Sequence, residues 1–218
     1  AAIEGDSGPL EGYLAAAGRL LADDTLDPAL TAEALRLPDL SYLAESLKPL
    51  PVEALQQTWN SLKQTVGARY AQELRHRYDD DVPRLTYQPS AEMAARRALN
   101  GRCLDLMVAS GDCELALAQY QAAGNMTDRL SALTPLVLQS TEQADALLED
   151  FFARFSHHPL VMDKWLALQA AVPDGATLER VKGLLSTPVF SLRTPNKVRA
   201  LLGSLSRNLS AFTQAGGA

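Results

Sequence analysis

Histidine, serine and carboxylate side chains are the groups from which this 218-residue chain could build a catalytic or metal site. Two of its three histidines are adjacent, at His157 and His158, and the third, His76, is isolated. Neighbouring side chains on a helix point about 100° apart, so the pair lacks the i, i+4 spacing with which two histidines share a zinc ion. Pro159 follows directly and indicates a turn. The pattern predicts an exposed helix junction, and we expect no metal ligand in this chain.

Motifs of known catalytic chemistry are absent from the sequence. There is no Gly-x-Ser-x-Gly turn for a serine nucleophile, no Gly-x-x-x-x-Gly-Lys phosphate loop and no His-Glu-x-x-His zinc helix. Acidic residues do cluster, at Asp23-Asp24, Asp79 to Asp81 and Glu149-Asp150. Such clusters are typical of solvated faces and helix ends, and none indicates an acid–base pair. The sequence therefore predicts no catalytic residue.

Arg199 is the candidate binding residue. Thr194-Pro195-Asn196 indicates a helix start, with Thr194 as the N-cap and Pro195 at the first helical position. Arg199 lies beside the predicted buried stripe of this helix, where its guanidinium could hold a carboxylate through two hydrogen bonds. That carboxylate could belong to a protein neighbour or to the C-terminus of a peptide. Taken alone, these residues favour an ordinary surface or ion-paired arginine.

The segment Asp163-Lys164-Trp165 has a structural interpretation. Trp165 shares a helical face with other apolar residues, which predicts that it packs inward. Asp163 lies near the helix start, where a negative charge complements the helix dipole. Lys164 points elsewhere and could pair with an acid on the neighbouring helix.

The elements that must position these residues are helices. Helical periodicity runs through nearly the whole chain, and no segment alternates as a β-strand would. An apolar stripe from Leu55 to Tyr78 predicts one long helix, which Asp79 to Asp81 and Pro83 end. The other predicted helices cover residues 10–24, 28–37, 39–47 and 90–110, and start near residues 113, 127, 141, 159, 176 and 195.

The connections between these helices are short, and short connections favour antiparallel neighbours. The predicted fold is therefore all-α: an irregular α-solenoid, a superhelical array of antiparallel helix pairs of the HEAT/armadillo kind. No sequence repeat of fixed period is present, so a consensus solenoid is not predicted.

Composition excludes several classes of protein. The net charge of −6 and the pI near 5.1 argue against a nucleic-acid surface, which needs clustered Lys and Arg. No segment approaches the roughly 18 apolar residues of a membrane helix, so no membrane partner is expected. Cys103 and Cys113 are the only cysteines and imply no disulfide framework, although a bridge between them stays open here. The cytoplasm is the predicted location.

Four strings carry a resemblance to a known family. They are Asp24 to Leu30, Asn125 to Leu130, Leu160 to Trp165, and Thr194 to Arg199. In this order and at similar separations, they resemble strings of the C-terminal helical domain of bacterial aminopeptidase N, a family of M1 zinc metallopeptidases. Thr194 replaces the asparagine that is usual there. The resemblance covers most of the chain, roughly residues 10–212.

The resemblance implies a helical bowl that caps a catalytic domain on the same polypeptide and controls the access of peptide substrates. Arg199 matches a family arginine that faces the enclosed cavity and meets the substrate beyond the scissile bond. The zinc ligands and the catalytic residues belong to other domains, so this chain alone is expected to bind no zinc and catalyse nothing.

The expected organisation is a flexible N-terminal edge at residues 1–9, the helical domain at 10–212, and a flexible tail at 213–218. The family's domain continues for several helices beyond the point that matches Ala211-Phe212, so we expect a fragment. The alternative is a free-standing HEAT-like helical scaffold that binds peptides or proteins on a concave face. An enzyme complete in these residues ranks last.

Overall fold

A computed structural model describes residues 8–78, 82 and 86–214. Within these residues the secondary structure is thirteen α-helices: α1 (Gly8–Ala22), α2 (Pro28–Ala34), α3 (Leu40–Glu45), α4 (Val52–Arg69), α5 (Ala71–Arg77), α6 (Ala91–Ala109), α7 (Glu114–Ala122), α8 (Met126–Leu138), α9 (Ala144–Phe155), α10 (Pro159–Ala170), α11 (Thr177–Leu185), α12 (Pro195–Arg207) and α13 (Leu209–Gln214). The all-α prediction is confirmed. None of these helices is both long and apolar enough to cross a membrane.

The predicted long helix is in fact two helices, α4 and α5, separated at Tyr70. This residue has φ −116° and ψ 31°, outside the helical region. Its hydroxyl donates a hydrogen bond of 2.7 Å to the carbonyl oxygen of Leu14 in α1. The ring lies so close to α1 that a Cβ added to Gly18 would approach it to 2.7 Å. The break therefore accompanies a long-range contact that the apolar stripe does not reveal.

Alternate helices of the array run in the same direction. Arg97 near the start of α6 pairs with Asp128 near the start of α8. Helices α10 and α12 meet at both ends, through Asp163 with Lys197 and through the Ala170 carbonyl with Asn208. The helices between them, α7, α9 and α11, return the chain to the edge where the next one begins. This is the predicted array of antiparallel pairs.

The buried apolar side chains form two clusters. The larger one extends from α1 to α10, and its most deeply buried members include Leu74, Leu104, Leu133 and Phe151. The smaller one holds α10, α11 and α12 together through Leu166, Ala170, Val181, Leu184, Phe190 and Leu201. Trp165 packs against both clusters. Because α12 is built on the smaller cluster, its orientation depends mainly on α10 and α11.

Some predictions fall outside the described residues. Helix α5 ends at Arg77, but Asp79 to Asp81 and Pro83, which were expected to end it, lie outside the described ranges. Helix α1 begins at Gly8 and α13 ends at Gln214. Of the two terminal segments predicted to be flexible, residues 1–7 and 215–218 are likewise outside these ranges.

Candidate functional site

The three strings Asn125 to Leu130, Leu160 to Trp165, and Thr194 to Arg199 occupy equivalent places in the fold. They form the first turns of α8, α10 and α12, whose N-caps are Asn125, His158 and Thr194. Since these helices are parallel, their N-terminal ends lie along one edge of the array. Helix N-termini carry partial positive charge, so this edge favours anionic groups.

The string at the start of α8 is a closed polar network. The side chain of Asn125 accepts a hydrogen bond from the Asp128 amide at 3.0 Å and donates one of 2.6 Å to the Asp128 carboxylate. The same carboxylate accepts the Nε–H of Arg97 at 3.0 Å. Asp128 is only 1% exposed. Its charge is therefore used within the fold and is not available to a ligand.

Arg129 extends this network towards α9. Its guanidinium donates to the carbonyl oxygen of Ala123, lies over the ring of Tyr120 at 5.0 Å, and approaches Asp150 to 3.9 Å. The Tyr120 hydroxyl donates to Asp150 at 2.9 Å. Burial, followed by the hydrogen bond to Asp150, raises the pKa of the Tyr120 phenol. A hydrogen bond from Arg154 lowers the pKa of Asp150.

The string at the start of α10 is largely structural, as predicted. The indole N–H of Trp165 donates to the carbonyl oxygen of Leu148 at 3.0 Å, and its ring lies 5.0 Å from that of Phe152. The ion pair that Lys164 could make is not formed: this lysine is exposed and has no acidic partner among the described residues. The ion pair is made instead by Asp163, with Lys197 of α12 at 3.4 Å.

The string at the start of α12 leaves Arg199 available. Thr194 is the N-cap and Pro195 begins the helix, as predicted. Helical spacing places Arg199 about 160° around α12 from Lys197, which faces α10. Arg199 is exposed, and within the described residues no carboxylate pairs with it. It can therefore accept a carboxylate from outside this chain.

The histidines and cysteines build no metal site. His157 and His158 are exposed at the α9–α10 junction, with ring centroids 4.1 Å apart. His76 lies 3.2 Å from Asp24. Among the described residues, no group of three or more His, Cys, Asp or Glu side chains could hold a metal ion. Both cysteines are free thiols, and burial raises the pKa of Cys103 to about 12.

Two grooves contain no residue of the three strings. The larger, about 600 Å³, is lined by the α1–α2 connection, α5 and α6. Its Arg77 and Asp24 already pair with each other at 2.7 Å. The smaller, about 250 Å³, lies between α4, the C-terminal ends of α8, α10 and α12, and the start of α13. It contains Trp59 and Lys63.

Lys63 and the Asp163–Lys197 pair were missed by sequence reasoning. Lys63 is 3% exposed, and its ammonium lies 2.5 Å from Asp105 of α6 and 4.9 Å from the Trp59 ring. Its position beside Leu62 on the apolar stripe was the available signal. For Asp163 and Lys197, the signal was their presence in two of the strings that carry the family resemblance.

Comparison with known proteins agrees with this architecture. Aminopeptidase N of Escherichia coli (strain K12) is 35% identical over 198 residues, which are 88% of this chain and 22% of the relative. Aminopeptidase N of Caulobacter vibrioides is 33% identical over 215 residues, 95% of this chain and 25% of that protein. The chain thus spans about a quarter of the length of these relatives.

A solved structure shares the fold. The crystal structure of Legionella pneumophila aminopeptidase A in complex with aspartic acid superposes with a TM-score of 0.80 and 27% sequence identity. The similarity covers 94% of this chain and 25% of that one. A family model described as a domain of unknown function (DUF3458_C), ARM repeats, matches residues 3–218. The predicted resemblance to aminopeptidase N is confirmed, and the chain belongs to the DUF3458_C family of ARM-repeat domains.

Proposed function

We propose that this chain is a non-catalytic helical domain of a longer aminopeptidase polypeptide, which removes N-terminal residues from peptides. In this proposal the domain caps the active site, controls the access of peptides, and supplies Arg199 to hold the substrate's C-terminal carboxylate. The similarity to two bacterial aminopeptidases N and to an aminopeptidase structure supports the peptidase assignment. The exposed, unpaired guanidinium of Arg199 is the single observation that supports the binding role.

Arg199 is better suited to a ligand than the other charged residues of the three strings. Asp128, Arg129, Asp163 and Lys197 each have a charged partner within the fold. Lys164 is also exposed, but an ammonium is a compact point charge. The planar guanidinium of Arg199 presents paired N–H donors that match both oxygens of a carboxylate.

Zinc, which the family resemblance implies, finds no set of ligands among the residues that the structure describes. The adjacent and exposed His157 and His158 do not fit the tetrahedral geometry of a zinc site, and no third ligand accompanies them among the described residues. We place the zinc ion and the catalytic residues in the remainder of the polypeptide. The free thiols of Cys103 and Cys113 support a cytoplasmic location, where cysteines stay reduced.

The test compares peptides with and without a C-terminal charge, using the full-length polypeptide. For Arg199→Ala, KM for an alanyl tripeptide with a free carboxylate should rise about tenfold, the value of a charge-assisted hydrogen bond. KM for the corresponding tripeptide amide should stay unchanged. Arg193→Ala is the matched control, because Arg193 is an exposed arginine just before the same helix.

An equal response of the free acid and the amide to Arg199→Ala would show that Arg199 does not bind the carboxylate. Hydrolysis of the tripeptide by the 218-residue chain alone would overturn the non-catalytic role. Saturable binding of peptides by the isolated chain, unaffected by Arg199→Ala, would favour the scaffold alternative. The groove beside Trp59 and Lys63 is where such binding would be located.

A further inference from the structure

One ion pair joins the start of α12 to the start of α10, and it lies two residues from Arg199. We infer that Asp163 and Lys197 are positioning residues, which set the rotation of α12 about its axis and thereby direct Arg199 towards the peptide carboxylate. This inference rests on the proposed role of Arg199. In this inference, the Leu160–Trp165 and Thr194–Arg199 strings together orient Arg199. Neither string indicates this role alone.

Helix α12 is held on α10 by polar contacts at both of its ends. At the N-terminal end, the Lys197 ammonium lies 3.4 Å from Asp163, and these side chains are 15% and 19% exposed. At the C-terminal end, the side-chain amide of Asn208 donates to the carbonyl oxygens of Ala170 and Val172, at 3.1 and 2.7 Å. The two contacts are about 16 Å apart along the helix. Between them, the fully buried Leu201 adds apolar packing against α10 and α11.

The N-terminal contact is the one that controls Arg199. Arg199 lies two residues beyond Lys197 but nine residues before Asn208. Thr194, the N-cap, makes no side-chain hydrogen bond that could hold this turn in its place. Loss of the Asp163–Lys197 pair would therefore free the first turns of α12 to rotate, while Asn208 still anchors the other end.

A small rotation has a large effect on a long side chain. The guanidinium of an extended arginine lies about 8 Å from the helix axis, so a rotation of about 20° moves it by about 3 Å. A displacement of 1 Å is already enough to weaken a positioned contact strongly.

The pair is also protected from solvent better than the pairs on the chain's surface. Arg180 and Asp145, which join α11 to α9, are 26% and 79% exposed. Exposed pairs contribute little because water and salt screen them. The smaller exposure of both Asp163 and Lys197 means that their attraction is screened less, so it can restrain the helix.

The experiment uses Asp163→Asn and Lys197→Gln in the full-length polypeptide, with the free-acid and amide tripeptides as probes. Each variant should raise KM for the free acid about threefold to tenfold, which is at most the effect of Arg199→Ala. KM for the amide, and kcat for both substrates, should stay unchanged. The double swap Asp163→Lys with Lys197→Asp should restore the free-acid KM. Arg180→Gln is the matched control and should change KM for neither substrate.

A double-mutant comparison separates this inference from the function on which it rests. In the Arg199→Ala background, Asp163→Asn should have no further effect on KM. If Arg199→Ala selectively impairs the free acid but Asp163→Asn and Lys197→Gln do not, the positioning role is wrong and the binding role stands. If Arg199→Ala does not distinguish the acid from the amide, the binding role itself has failed. If the Asp163 and Lys197 variants lose activity equally on both substrates, and the double swap does not restore it, the pair has only a structural role.

Discussion

The first turns of α8 and α12 occupy equivalent positions in the array and use their charges in opposite ways. Each follows an N-cap residue, Asn125 in one and Thr194 in the other, although only the Asn125 side chain makes a capping hydrogen bond, and both lie at the same edge. At α8, Asp128 and Arg129 are buried and bonded within the fold. At α12, Arg199 is exposed and has no acidic partner among the described residues.

The difference arises from what each helix packs against. Helix α8 is covered on several sides by α6, α7 and α9, which supply Arg97, Gln119 and Asp150 as partners for its first turn. Helix α12 packs on α10 and α11; α10 supplies Asp163 as a partner for its first turn, and the side that carries Arg199 is exposed. Strings at equivalent positions therefore form a buried network at α8, whereas at α12 they leave an exposed guanidinium that has no acidic partner among the described residues.

The largest expected effect is that of Asp128→Ala on stability. The substitution leaves the buried Arg97 guanidinium without its carboxylate, which should lower the free energy of unfolding by about 3–5 kcal/mol. Urea unfolding of the 218-residue chain, followed by far-UV circular dichroism, measures the change. Asp145→Ala is the control, because that carboxylate pairs with Arg180 on the surface. A loss for Asp128→Ala no greater than that of the control would remove the distinction between the two turns.

Tyr120→Phe should have an intermediate effect. It removes the hydroxyl that lies 2.9 Å from both the Leu147 carbonyl oxygen and the Asp150 carboxylate and shares its single proton between them, and it should cost about 1 kcal/mol. The melting temperature should fall by about 2–4 °C in a chain of this size. Tyr42, which is exposed, provides the control substitution Tyr42→Phe. Identical melting temperatures for the two variants would contradict a stabilising network at α8.

Asp150→Asn should produce a smaller effect that depends on pH. Hydrogen bonds from Arg154 and Tyr120 lower the pKa of Asp150 in the folded chain. Its contribution is therefore complete above the ordinary carboxyl pKa of about 4 and is lost as the pH falls through the lower folded value. Wild-type stability should drop more than that of Asp150→Asn between pH 6 and pH 3. Unfolding curves across this range test the prediction, with Glu149→Gln, an exposed neighbour, as the control.

The smallest effect on stability should be that of Arg199→Ala. Because the side chain is exposed and unpaired, the free energy of unfolding of the isolated chain should change by less than about 0.5 kcal/mol. Urea unfolding of Arg199→Ala and of Asp128→Ala under the same conditions compares the two turns directly. If the free energy of unfolding falls by more than about 1 kcal/mol, Arg199 stabilises the fold, and its proposed role in binding loses its basis.

Local sequence patterns were sufficient to predict most of the helices and the class of fold. Asp27 caps α2 by accepting the amide of Leu30, and Pro28 begins that helix, as N-cap and first-turn preferences predict. The same reasoning correctly predicted Thr194 and Pro195 at the start of α12. These features depend on residues a few positions apart, so they can be inferred without knowledge of the tertiary structure.

The pairing of distant residues was not predictable in the same way. The break at Tyr70 accompanies contact with Leu14 and Gly18 of α1, more than fifty positions earlier. The choice of Asp163 and Lys197 as an ion pair, in place of Lys164, depends on how α10 and α12 are rotated against each other. Local propensity does not specify such rotations, because they arise from packing between helices.

By itself, the sequence determined that this chain is an all-α array, that it carries the strings of an aminopeptidase N domain, and that it lacks the motif of a catalytic zinc helix. The tertiary structure decided which charges are available. Asp128 and Arg199 are both ionisable residues in the first turns of parallel helices, and composition does not distinguish them. One is enclosed by three neighbouring helices and the other is not, because burial is a property of the assembled array.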